Sequence, residues 1–85
     1  MLEKPPVIRQ RLADNMRRLR KKEQWSQENL AKEMEIHHNQ ISAMERCKHS
    51  VGIDIIERLA QVFGVTAGEL LDEHRPVDQP STRSE

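Results

Sequence analysis

Eighty-five residues allow a single domain with a modest core, and the 14 basic and 14 acidic side chains cancel to a formal net charge of zero. That balance excludes a strongly basic polyanion-binding chain, and an aromatic content of 2% removes the stacking platforms on which single-stranded nucleic acid is held. A lone cysteine, Cys47, excludes an internal disulfide and fits a reducing compartment.

Charge distribution says more than the sum. Residues 72–85 hold four acids and two bases, leaving 12 bases against 10 acids in residues 1–71, so local basic patches are expected in place of a strong overall field. No apolar run approaches the roughly 18 residues of a membrane span, and the opening MLEKPPVIRQ lacks the apolar segment of a secretory leader. A cytoplasmic chain without a membrane partner is the expectation.

Residues 1–6 read as a loose arm, because Pro5 and Pro6 disfavour helix before them. From there Ile8, Leu12, Met16 and Leu19 make one apolar stripe that predicts a first helix to about Glu23, with basic residues crowding its C-terminal half, where the helix dipole favours them. Gln24 and Trp25 break that helix. Ser26 is a good N-cap for a second, with Trp25 and Leu30 as its hydrophobic staple. Gln27, first in helix 2, sits where free backbone N–H groups and an amide can grip a phosphate oxygen.

Within helix 2 the apolar face is Leu30, Ala31 and Met34; within a third, from after His37 to about Arg46, it is Ile41 and Met44. Ile36 plugs the turn between them. Ala31 supplies the small side chain that two steeply crossing helices need at closest approach. Rotation at about 100° per residue puts Asn39 and Ala43 opposite Ile41, with Ser42 and Arg46 beside them and His38 at the helix start. Asn can bond an adenine edge bidentately, Ser is a permissive donor and acceptor, and Ala lies well against a thymine methyl. This outward face suits a major groove.

His37, His38, Cys47 and His49 invite a metal, but adjacent histidines diverge on a helix and no Cys-x2-Cys or His-x3-His pair anchors a closed site. No metal is expected, and His37 is better used as a cap. After the Lys48–Gly52 loop a fourth helix runs from about Ile53 to Phe63 and ends at Gly64. Thr66 and Glu69 form a capping box for a fifth. Residues 74–85, with two prolines and one valine, are expected to form a disordered tail.

The residues SQENLA, a following apolar residue, and ISAMER, all within Ser26–Arg46, resemble the Cro/C1-type (XRE) helix-turn-helix of bacterial and phage regulators, over about Leu12–Leu71. Two positions depart from that pattern, Glu35 and Cys47, where the family usually or often has the Gly that ends a helix. The resemblance implies an all-α, compact five-helix lambda-repressor-like domain over residues 7–73, similar to small phage repressors and restriction-modification controller proteins. It implies base contacts from His38, Asn39, Ser42 and Ala43, phosphate contacts from Gln27, Gln40, Arg46, Lys48 and His49, and a structural ion pair between Arg20 and Glu45.

Ile55 and Val62 lie seven residues apart on a helix-4 stripe separate from the core face and, with Leu59 and Val65, are expected to form a two-fold interface. The reading is therefore a homodimer on a near-palindromic duplex, its two third helices about 34 Å apart. The alternative is an antitoxin or other protein-interaction module on the same fold. No carboxylate pair, Ser–His or Cys–His arrangement stands at a catalytic spacing, so no enzyme, cofactor or small-molecule ligand is expected.

Overall fold

The structure, a computed structural model, describes residues 4–74. Of the expected arm and tail, residues 1–3 and 75–85 therefore lie outside the described residues. Five helices follow in order: α1 (Val7–Lys22), α2 (Gln27–Met34), α3 (His38–Glu45), α4 (Ile53–Phe63) and α5 (Ala67–Leu71). No strand occurs among the described residues.

Local chemistry sets each start. Helix α1 begins directly after Pro6, whose fixed φ suits a helix entry and whose carbonyl accepts the N–H groups of Arg9 and Gln10 at 3.0 and 3.3 Å. Ser26 caps α2 reciprocally with Asn29, its Oγ accepting the Asn29 N–H at 3.0 Å while the Asn29 amide oxygen accepts the Ser26 N–H at 2.9 Å. Thr66 and Glu69 do the same for α5.

Four helices stop by one device. After α1, α2, α3 and α4 the chain turns through a left-handed residue, namely Gln24 (φ 63°), Glu35 (φ 60°), Cys47 (φ 58°) and Gly64 (φ 70°). In each case the following N–H returns to the helix: Trp25 to the Arg20 carbonyl, Ile36 to Ala31, Lys48 to Ala43 and Val65 to Ala60, at 2.9–3.0 Å. These are Schellman turns, and only the last uses the residue that enters this conformation without a Cβ penalty.

Burial follows from the stripes. Leu12, Met16 and Leu19 of α1 meet Leu30, Ala31 and Met34 of α2, Ile41 and Met44 of α3, Leu59 and Ala60 of α4, and Leu70 of α5. Ile8, expected at the head of the α1 stripe, is instead 48% exposed, because the core begins one turn later at Leu12. Trp25 is half-buried against the core and stacks on Phe63, ring centroids 5.8 Å apart. Asn15, itself buried, donates to the carbonyls of Leu70 and Asp72 at 2.7 and 2.9 Å, which ties α5 to the middle of α1.

Candidate nucleic-acid interface

The inner end of α3 is held by charge. Glu45, its last residue, is buried, and its carboxylate receives Arg20 Nε at 2.8 Å, Arg20 Nη2 at 2.9 Å and Gln27 Nε2 at 3.1 Å. Arg17 Nη1 donates to the Glu45 main-chain carbonyl, one of the acceptors that a helix end leaves free. One residue thus fixes α3 to α1 and to the first residue of α2. Neither the Arg17 contact nor the Gln27 tie has a signal in residue spacing, since both depend on which way long side chains lie across a helix crossing.

The outer face of α3 is what these ties present. Asn39 and His38 are exposed at its start, Ser42 and Ala43 are half-exposed in the middle, and Arg46 follows exposed at the end with its Nε donating to the Ser42 carbonyl at 3.4 Å. Lys48 and His49 are exposed in the loop that follows. Gln40, also exposed, is partly engaged: its amide oxygen accepts the His37 N–H at 3.4 Å. Gln27 is half-buried with its nitrogen turned to Glu45. A carboxylate can only accept, so this orientation of the amide is fixed and leaves one N–H of Gln27 for an outside acceptor.

His37 caps α3 through Nδ1, which accepts the Asn39 N–H at 3.1 Å. Among the described residues no group of three or more His, Cys, Asp and Glu side chains is placed to hold a metal ion. No described helix is long and apolar enough to cross a membrane.

Along α4, Ile55 and Val62 are half-buried and packed on the core edge, as is Val65 beyond it. Leu59 corrects the expected interface. It has no exposed surface and lies at the centre of the inner face beside buried Ala60, so it offers nothing to a second copy.

A five-helix all-α domain whose second and third helices pack as a tight pair, the third with a polar outer face and basic residues at its end, is a DNA-binding domain of the helix-turn-helix class. The helix-turn-helix family HTH_3 matches residues 16–70. The chain belongs to this family of Cro/C1-type (XRE) DNA-binding regulators. A "Neisseria hypothetical transcription factor" of Neisseria meningitidis serogroup B is 39% identical over 64 residues, which cover 75% of this chain and 60% of that protein. "Control protein C.BamHI" of Bacillus amyloliquefaciens is 38% identical over 66 residues, covering 76% of this chain and 82% of that one. The crystal structure of the hypothetical transcription factor NHTF from Neisseria superposes with a TM-score of 0.76 at 36% identity, over 86% of each chain.

Proposed function

We propose that residues 7–73 form a sequence-specific, double-stranded DNA-binding transcriptional regulator that acts as a homodimer on a near-palindromic operator, with α3 in the major groove. The observation that carries this reading is the division of α3 into two sides. Its inner side is fixed by Ile41, Met44 and the Glu45 ties, while Asn39, an exposed amide near the helix start, carries no side-chain hydrogen bond within the described structure. Asn39, Ser42, Ala43 and His38 read base edges, and Gln27, Gln40, Arg46, Lys48 and His49 hold phosphates. The likeness to a protein named a control protein supports a regulatory role.

The dimer is proposed at the start of α4 and not along the half-covered Ile55–Val62 stripe. What supports this is Ile53, 80% exposed and one turn before Ile56, which itself lines a mostly apolar groove of about 250 Å³ with Ile8, Leu12, Val51 and Leu71 and, among polar side chains, Arg9 and Ser50. A protruding apolar side chain next to an apolar groove is self-complementary, as a two-fold contact requires. The same surface is the ground for the second reading, in which it docks a different protein, as an antitoxin would. A mobility shift with DNA from upstream of the chain's own gene, and no partner added, tests the first reading. It fails if random duplex competes as well as that DNA.

A further inference from the structure

The helix that faces DNA is capped by an imidazole. His37 Nδ1 accepts the backbone N–H of Asn39 at 3.1 Å, and the His37 N–H is received in return by the Gln40 amide oxygen at 3.4 Å. A ring nitrogen accepts only while it carries no proton, so this cap exists in one tautomer of neutral His37, with the hydrogen on Nε2. The usual N-cap side chains, Ser, Thr, Asn and Asp, keep their acceptor across the whole neutral range. His37 differs from them in this alone.

Protonation would do three things at once. It removes the acceptor from the Asn39 N–H. It places a cation at the N-terminus of α3, where the helix dipole is already positive. It also charges a ring whose centroid lies 4.7 Å from that of His38, stacked at 25°. Around the site, the charged group from α2 is Glu35, its C-cap. The others are His38 of α3 and Arg58 of α4, whose Nη1 donates to the Met34 carbonyl at 2.8 Å beside the turn. Neither ion pair found among the described residues involves His37.

We propose that His37 is a proton-sensitive positioning residue for base readout: neutral, it fixes the start of α3 and the backbone of Asn39; protonated, it releases them. The inference rests on the reading of α3 as the base-contacting helix. An imidazolium on any exposed histidine attracts every duplex alike, so total affinity is the wrong quantity to follow. The ratio of specific to non-specific binding isolates the cap.

The test uses the full chain, a duplex obtained by in vitro selection on it, and a random duplex. Between about pH 7.5 and about pH 5.5 the specificity ratio should fall about fivefold, the size of one lost N-cap. In His37→Asn, which caps without titrating, the ratio should stay flat; in His38→Asn it should still fall. If circular dichroism shows His37→Asn unfolded, His37→Ser takes its place. Without DNA, the Asn39 amide resonance should move farther with pH in the parent than in His37→Asn, where only its neighbour His38 is left to move it. An equal fall in the variant, or an Asn39 amide indifferent to pH in the parent, overturns the proposal. A parent chain with no preferred duplex at about pH 7.5 would defeat the operator reading instead, and the amide titration would still decide the cap.

Discussion

Arg20 and Glu45 meet through two parallel hydrogen bonds, Nε to Oε2 at 2.8 Å and Nη2 to Oε1 at 2.9 Å, with side chains only 13% and 3% exposed. The third Arg20 nitrogen, Nη1, donates to the Trp25 carbonyl at 3.0 Å, so the guanidinium serves both the α1–α3 contact and the turn into α2. Breaking such a pair strands a charge away from water. Glu45→Ala or Arg20→Ala should each cost about 3 kcal/mol in urea unfolding, whereas Arg20→Met with Glu45→Leu should recover most of that loss.

The same pair has a pH consequence. The hydrogen bonds Arg20 donates to Glu45 raise its pKa further above the ordinary value, burial opposes this, and the Glu45 charge adds to it. A raised pKa contributes stability that is present below the unfolded value and lost only as pH climbs through the folded one. Arg20 therefore adds no pH dependence below about pH 12. Urea midpoints of the parent and of the Arg20→Met, Glu45→Leu protein, compared between about pH 7 and pH 10, should differ by a constant amount.

Gln24, Glu35 and Cys47 hold left-handed backbone with a Cβ, at about 1–2 kcal/mol relative to Gly. Glycine at any one of them should stabilise the domain by about 0.5–1 kcal/mol after its larger unfolded-state entropy is counted, raising Tm by about 4 °C. Gly64→Ala, where a Cβ meets open space and only φ resists it, should lose a similar amount. Thermal unfolding that ranks these the other way would remove the strain argument.

How far these features could be read in the sequence depends on the interaction. The helices were legible because Leu12, Met16 and Leu19, then Ile41 and Met44, repeat at the helical period, and because Ser26, Thr66 and Gly64 are strong boundary residues. Glu35 and Cys47 stood out only against the family's glycines. Gln24 gave no such signal, since a polar residue between two helices carries no mark of its φ. Asn15 reads as one more polar residue on α1, yet it is 1% exposed, because its partners are carbonyls 55 and 57 residues away. Leu59 was assigned to the interface by rotation alone; the packing of α4 on its neighbours places it in the core.

On the DNA side, Asn39→Ala should relax preference at one base position and cost about 1–3 kcal/mol there. Lys48→Ala should weaken all duplexes alike and lower the salt slope by about one unit. Binding measured across single-base operator variants and several salt concentrations separates the two. The assignment fails if Lys48→Ala alters base preference while Asn39→Ala does not.

For assembly, Ile53→Lys charges the most exposed large apolar residue among those described without touching the core and should yield a folded monomer by sedimentation equilibrium, with operator binding much weakened. Val62→Lys, on the other flank of α4, should remain dimeric if it folds. The reverse pattern would return the interface to the Ile55–Val62 stripe.

Hydroxyl-radical footprinting on DNA upstream of the chain's own gene tests the central claim most directly. A homodimer with α3 in the major groove should protect two symmetric patches with centres about 10 base pairs apart, matching recognition helices about 34 Å apart. Uniform weak protection at protein concentrations that saturate the duplex, with no dyad, would contradict sequence-specific binding by a two-fold dimer.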